Sequence, residues 1–285
     1  MDIIQLLIAS LFGLVEGITE WLPVSSTGHM ILLNELVSFN VSKDFYSMFE
    51  VVIQLGAIMA VVILFWKDIF PFGRKNNKAP LKQTGALSYV KKDIFVLWFK
   101  ILIACVPAAI IGLLFDDEIE ALLYRYEVVA AALIIFGIAF IVIETRNSKM
   151  TAKVTTLSEL TYSYAFFIGV FQLIAAVFPG TSRSGATIVG ALLLGVSRTV
   201  AAEFTFFLAI PVMFGASLLK LIKFGFAFTG SEAAILAVGM IVAFIVSVFV
   251  IKFLMDYIKK HDFKVFGWYR IILGAAVIIF FTLAR

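Results

Sequence analysis

The chain has 285 residues, 62% of them hydrophobic and 15% charged, with a formal net charge of +4 and a mean hydropathy of +1.06. A soluble domain is about 45–50% apolar and about 25% charged, so this composition excludes an ordinary soluble fold and indicates an integral membrane protein. The surplus positive charge lies in loops, where a membrane accounts for it and no nucleic-acid partner is needed.

The apolar pattern starts at the N-terminus, with Asp2 and no basic residue before it, and Glu16 interrupts it. No cleaved signal peptide is expected from such a segment. The first anomaly is EGITEWLPVSSTGHMILL, Glu16 to Leu33, which places two carboxylates, four hydroxyls and a histidine inside an apolar chain. Pro23 cannot donate an amide and disfavours helix just before it, so it ends one arm. Ser25, Ser26 and Thr27 are N-cap candidates for the next. That next segment, Val24 to Val37, is about 12–14 residues long, the length of a re-entrant or interfacial piece rather than of a span.

Six apolar runs are long enough to cross a hydrocarbon core of roughly 30 Å. They are Phe45 to Trp66, Ile94 to Phe115, Glu127 to Glu144, Val200 to Ile222, Ala233 to Asp256 and Phe266 to Ala284. None alternates strictly between apolar and polar residues, so spanning helices are expected rather than barrel strands. Between the third and fourth runs lies GVFQLIAAVFPGTSRSG, Gly169 to Gly185, again an apolar arm, a proline and small polar residues, followed by a short segment, Ser184 to Gly195. Thr181 and Ser182 are its cap candidates. The fold class is therefore all-α, with six transmembrane helices and two re-entrant helical hairpins, at about residues 3–37 and 161–196.

The two anomalous stretches form an internal repeat. A constant offset of 156 residues aligns Gly13 with Gly169, Glu16 with Gln172, Pro23 with Pro179 and Ser26 with Ser182. A weaker echo pairs Glu50 with Glu203, each near the start of the next span. The halves run from about 1 to 126 and from about 127 to 285, in one membrane domain, with the third span as the ambiguous join. Three spans lie between the hairpins, so hairpins that return to the face they left must enter from opposite faces, giving an inverted repeat.

Loop charge tests this topology, because Lys and Arg accumulate on the cytoplasmic side. The loop from Lys67 to Asp93 carries Lys67, Arg74, Lys75, Lys78, Lys82, Lys91 and Lys92, whereas DDEIEALLYRY is acidic and TRNSKMTAK basic. After the second hairpin, the turn near Lys223 is poor in charge, and that with Lys259, Lys260 and Lys264 is rich. Both termini and the first hairpin are then outside, and the second hairpin enters from the cytoplasm. Lys100 lies slightly inside its span, where snorkelling is a sufficient explanation. Cys105, the single cysteine, reads as an inert packed thiol.

Two tips meeting at membrane depth would aim helix N-termini, with free N–H groups and positive dipole ends, at an anion. The first tip adds Glu16 and Glu20 on one helix face, with Ser25, Ser26, Thr27 and His29; the second adds Ser182, Arg183, Ser184 and Thr187. Paired carboxylates suit a divalent cation held together with substrate phosphates. Arg183 suits a bidentate phosphate clamp, and its intramembrane cost calls for an anionic partner. Ser26 or His29 could attack phosphorus, with a carboxylate or the histidine moving protons; Ser26 is preferred because it should lie at the cap nearest the anion. Glu50, Gln54 and Glu203 are given a supporting role, as outer metal partners or helix-packing hydrogen bonds.

EGITEWLPVSSTGH and PGTSRSGAT, in this order and accompanied by FEVVIQLGA, AAEFTFFLAIP and GWYRIILG, resemble the BacA family of undecaprenyl-diphosphate phosphatases, linked to bacitracin resistance. The resemblance covers essentially the whole chain. It implies hydrolysis of a C55 isoprenoid diphosphate to the monophosphate carrier of cell-wall synthesis, in the bacterial plasma membrane, with a divalent cation (Mg²⁺ or Ca²⁺) and a site open to the outer face. Position by position, Glu16 and Glu20 match the acidic motif, Ser26 and His29 the SSTGH element, and Ser182, Arg183 and Thr187 the second motif. A homodimer is compatible with this reading. The alternative from another functional class is an inverted-repeat secondary transporter or lipid flippase. A lipid phosphatase class that uses two histidines fails on counting, because the only other histidine, His261, lies in a basic loop.

Overall fold

The computed structural model describes residues 3–73, 77 and 79–283. Asp2, the loop cations Arg74, Lys75 and Lys78, and Ala284, the expected end of the sixth span, lie outside the described residues. Among the described residues the chain is helical, with isolated bridges but no extended strand. Six helices are long and apolar enough to cross a membrane: α3 (Lys43–Leu64), the Lys92–Phe115 part of α5 (Lys92–Leu123), α6 (Tyr126–Asn147), α9 (Arg198–Phe224), α10 (Gly230–Ile258) and α11 (Lys264–Leu283). Each coincides with one of the six apolar runs. α4 (Trp66–Ile69) is a single turn after α3, and α5 breaks at Phe115, where the backbone leaves helical geometry (φ −133°, ψ 16°).

Two further pairs are shorter. α1 (Ile3–Thr19) and α2 (Ser26–Leu36) flank the first tip; α7 (Tyr162–Val177) and α8 (Arg183–Leu193) flank the second. All four fall below the roughly 20 residues that a perpendicular crossing requires.

The packing follows the duplication. α1 lies on α10 and α7 on α5; α2 touches α11 and α8 touches α6; α3 pairs with α9, and α6 with α11. Small residues bring these helices close, since lipid supplies no hydrophobic drive between them. At the α6–α11 crossing, a Cβ on Gly137 would lie 2.7 Å from the Gly267 carbonyl oxygen, and a Cβ on Gly267 would lie 2.7 Å from that of Gly137. The main core joins α3, α5, α6, α7, α8, α9 and α10 around residues such as Trp21, Phe204, Phe206 and Phe207. Large apolar side chains left uncovered along the spans, including Leu113, Phe249 and Ile272, form the lipid-facing belt.

Two sequence expectations change. Lys100 does not snorkel into the headgroup region: it is buried, and its Nζ donates to the carbonyls of Leu157 (3.4 Å) and Ser158 (3.3 Å) in the connector before α7. The repeat register also slips by one residue within the tips. Ser25, not Ser26, caps α2, its Oγ accepting from Gly28 N, and Ser182 caps α8, its Oγ accepting from Gly185 N. Ser25 is thus the structural counterpart of Ser182, and Ser26 that of Arg183.

Candidate active site at the meeting of the two tips

The two cap serines are the only non-glycine residues with positive φ among the described residues: Ser25 at φ 73°, ψ 100° and Ser182 at φ 69°, ψ 120°. Side chains disfavour this region, and such strain persists only where the surroundings enforce it. The first residues of the helices that follow these caps, Ser26 in α2 and Arg183 in α8, line one cavity.

There they meet at one carboxylate. Arg183 Nη2 lies 3.0 Å from Glu20 Oε1, and Ser26 Oγ donates to Glu20 Oε2 at 2.9 Å. Arg183 is steadied by Nη1 donating to the Thr205 carbonyl on α9 (3.0 Å), and Ser184 Oγ donates to the Glu20 carbonyl (3.1 Å), fastening α8 to the first tip. A cavity of about 220 Å³ opens beside this triad, lined by Glu20, Ser26, Thr27, Gln54, Ser182 and Arg183. A neighbouring cavity of about 430 Å³, with Glu35, Tyr46, Glu50 and Lys220 in its wall, shares Ile119, Tyr124, Ala176 and Ala216 with it. Chamber and vestibule therefore adjoin.

His29 is adjacent but differently engaged. Its Nδ1 is 2.7 Å from the Ser25 carbonyl and its Nε2 is 2.7 Å from Tyr269 Oη, with the two rings stacked. A carbonyl only accepts, so Nδ1 carries a proton, and in the neutral ring Nε2 accepts from the tyrosine. Neither nitrogen is left for Ser26, whose hydrogen bond runs to Glu20.

Glu16, one turn before Glu20, is buried and contacts the Glu20 carboxyl, while its Oε1 has no hydrogen-bond partner. Buried Thr181 Oγ1, Arg183 Nε and both amide atoms of Gln172 are unpartnered too. Buried polar atoms are normally satisfied, so this concentration of unmet groups around the tips marks a place built for something polar.

Other expected site residues lie elsewhere or are already occupied. Thr187 is fully buried; its hydroxyl bonds Arg183 O (2.9 Å), Ser184 O (3.2 Å) and Thr205 Oγ1 (2.9 Å), so it braces α8 against α9 and does not line the chamber. Ser25 and Ser184 are likewise buried, in the cap and in the clasp on Glu20. Glu50 stands in the vestibule wall, whereas the charged neighbours of Glu203 are Asp68 and Lys259, at the basic-loop end of α9. His261 stacks on Tyr257 in the turn after α10, away from the tips.

Two residues escaped sequence reasoning, both on α11. Tyr269 is the partner of His29. Arg270, fully buried, donates Nη1 to the Pro23 carbonyl (3.4 Å), Nη2 to the Gly180 carbonyl (3.1 Å) and Nη2 also to the Thr181 carbonyl, and its guanidinium lies over Phe136 and Phe140. It ties both tips together. The available signal was an arginine inside the sixth apolar run, whose cost demands a partner as much as that of Arg183 does.

Fold and site define a class: a polytopic membrane protein in which two broken-helix tips enclose a buried acid, hydroxyl and guanidinium. The chain belongs to the BacA family, for the family model described as bacitracin resistance protein BacA matches residues 9–276. It is 62% identical over 282 residues to the undecaprenyl-diphosphatase of Desulfitobacterium hafniense, covering 99% of this chain and 98% of the relative. It is 60% identical over 283 residues to undecaprenyl-diphosphatase 1 of Clostridium acetobutylicum (99% and 100%), and 59% identical over 279 residues to the undecaprenyl-diphosphatase of Enterococcus faecalis (98% of each).

Proposed function

We propose that this protein hydrolyses undecaprenyl diphosphate to undecaprenyl phosphate and inorganic phosphate, returning the lipid carrier to cell-wall synthesis and thereby opposing bacitracin. The observation that carries this reading is the Arg183–Glu20–Ser26 contact chain beside a chamber that adjoins a vestibule. Ser26 Oγ attacks the terminal phosphorus as Glu20 Oε2 takes its proton; the Oγ–P bond forms and the bridging P–O bond breaks, releasing the lipid monophosphate. Glu20 passes that proton to the departing lipid phosphate oxygen; the regenerated carboxylate then takes a proton from water, which attacks phosphorus, and returns it to Ser26 Oγ as the Oγ–P bond breaks and phosphate is freed. Arg183 holds the non-bridging oxygens with its planar fork, assisted by Thr27 and Ser182. Positioning and charge neutralisation supply most of the catalysis in such transfers.

A divalent cation, Mg²⁺ or Ca²⁺, fits the donors present. Two buried carboxylates in contact need either a shared proton or a cation between them, and Glu16 Oε1 is unmet. Among the described residues no three His, Cys, Asp or Glu side chains form a metal cage. Glu16 and Glu20 would therefore hold the ion jointly with substrate phosphates, as Mg²⁺ sites commonly do. Bound there, it would neutralise charge on the diphosphate.

The short helix pairs are read as re-entrant hairpins, because tips at span depth with polar backbone are tolerated only around a protein-lined cavity. α6 pairs with α11, which supports placing it in the first half, so that the repeat boundary falls in the 148–161 connector rather than at 126. Each half then holds three spans and the halves are inverted. The vestibule lies beside Tyr124, next to the acidic loop, which the positive-inside rule assigns to the outside; the termini are placed there too. A homodimer remains compatible with this arrangement. A transporter needs no nucleophile beside a buried carboxylate, so that alternative is not favoured.

The decisive experiment is phosphate release from a C55 isoprenoid diphosphate by purified protein, with and without chelator. Release that chelator abolishes and Mg²⁺ or Ca²⁺ restores is the expected outcome. A folded preparation that releases none disproves the reading, and chelator-insensitive release disproves the cation. For orientation, a cysteine at Arg125 in a Cys105→Ala background should react with an impermeant thiol reagent added outside, and one at Lys82 should not.

A further inference from the structure

A second large cavity, sharing no lining residue with the chamber at the tips, lies on the face of the basic loops. It holds about 790 Å³ between the α3–α5 connector, the start of α5 and the 157–158 segment, and Lys67, Lys91, Lys92 and Lys100 line it, with Asp68 and Asp93. Four cations face two anions. Among the described residues none of these lysines is ion-paired with a carboxylate. Lys100 is the telling one: it is only 6% exposed, and its ammonium rests on two carbonyls at 3.3 and 3.4 Å, with no anionic partner. An ammonium removed from water is costly unless an anion compensates. A cavity ending on such a group is shaped for an anion from outside the chain.

An apolar groove adjoins the cavity. Trp66 and Phe70 are shared with an adjoining groove of about 400 Å³, whose other walls include Val62, Phe95, Trp98 and Ile210 and which is almost wholly apolar. Trp98 is held by its Nε1 donating to the Ile69 carbonyl (2.7 Å), so the groove wall is fixed. A chamber lined by four lysines thus adjoins a greasy slot between α3, α5 and α9, with Trp66 and Phe70 common to both. Free phosphate would use the first and have no use for the second. We infer that this pair of cavities is a binding site for an anionic phospholipid of the adjacent leaflet, its phosphate on Lys100 and the surrounding lysines and an acyl chain in the Trp66–Trp98 groove. Basic recesses between spanning helices on this side of a membrane suit such headgroups, and the site fastens the long α3–α5 connector to the bundle.

The test uses the full-length protein in detergent, with phosphatidylglycerol and phosphatidylcholine of the same chain length as probes. Phosphatidylglycerol should survive delipidating washes as a stoichiometric adduct in native mass spectrometry and raise the thermal unfolding temperature; phosphatidylcholine should do neither. Exchanging the peripheral Lys67, Lys91 and Lys92 for alanine, which leaves the packing intact, should weaken apparent phosphatidylglycerol affinity by at least about tenfold. Ile210→Trp, which fills the slot, should weaken it while leaving any response to glycerol 3-phosphate unchanged. Equal retention of both lipids, an unaltered affinity in the triple variant, or stabilisation by glycerol 3-phosphate as large as by the lipid would each overturn the assignment. Phosphatase turnover of the detergent-solubilised triple variant should stay at the wild-type level, which separates this site from the chamber.

Discussion

The two tips share one backbone and differ in chemistry. Each reaches its second helix through a serine in the left-handed region whose hydroxyl caps the third residue on, Gly28 or Gly185. Immediately after that cap, the first tip presents the Ser26 hydroxyl and the second the Arg183 guanidinium, both directed at Glu20. The two cradles are alike in backbone; on the proposed mechanism their unequal first helical residues supply an attacking oxygen from one tip and a phosphate clamp from the other. The unlike carboxylate side points the same way, because Gln172 stands where Glu16 stands in the first copy.

The sharpest way to break this comparison is to empty one cradle. Ser26→Ala removes the attacking oxygen while keeping the cap, and turnover should fall by about 10⁴-fold or more, with thermal stability unchanged. Retention of a tenth of the activity would pass the nucleophile role to water and leave Ser26 as a binding group. On the other cradle, Arg183→Lys keeps the charge but loses the planar fork that now spans Glu20 and the Thr205 carbonyl. A loss of about 10²–10³-fold is expected, chiefly in kcat; near-normal turnover would remove Arg183 from the mechanism. The order matters, since a second half more sensitive than the first would reverse the assigned roles.

Arg270 tests whether the cradles must be held together. Arg270→Met strips three tip carbonyls of their donor, in both halves at once. Unfolding in detergent should become easier by at least about 2 kcal/mol, and activity should fall about tenfold through misplacement rather than through lost chemistry. Stability lost with activity intact would show that the tips find each other without it.

Much of this was legible beforehand, for identifiable reasons. The six spans are visible because hydrocarbon thickness dictates run length, and the tips are visible because Pro23 and Pro179 interrupt apolar arms just before small polar residues. That Glu20, Ser26 and Arg183 converge followed from the expectation that the two tips meet. Sequence alignment could not reveal the one-residue slip, since Ser26 and Ser182 match as letters while the backbone pairs Ser26 with Arg183. Nor could it reveal Tyr269 and Arg270, which reach the site from the last helix through tertiary packing alone. Thr187 and Glu203 show the complementary difficulty: residue type alone could not reveal that Thr187 is buried against Thr205 or that the charged neighbours of Glu203 are Asp68 and Lys259.

The smallest effects discriminate most finely between the cradles. Both caps combine a strain of about 1–3 kcal/mol with a capping hydrogen bond. Glycine relieves the strain and forfeits only a few tenths of a kcal/mol of capping, whereas alanine keeps the strain and forfeits about 1 kcal/mol. Ser25→Gly and Ser182→Gly should therefore be at least as thermostable as the wild type, and the alanine variants less so; glycine as damaging as alanine would mean that the backbone is not strained there. Activity should then separate the pair. Ser182 lines the chamber and Ser25 does not, so Ser182→Gly should raise KM several-fold while Ser25→Gly leaves it unchanged. An equal rise at both positions would place the substrate phosphates symmetrically between the tips, and the division of labour between the halves would rest on Ser26 and Arg183 alone.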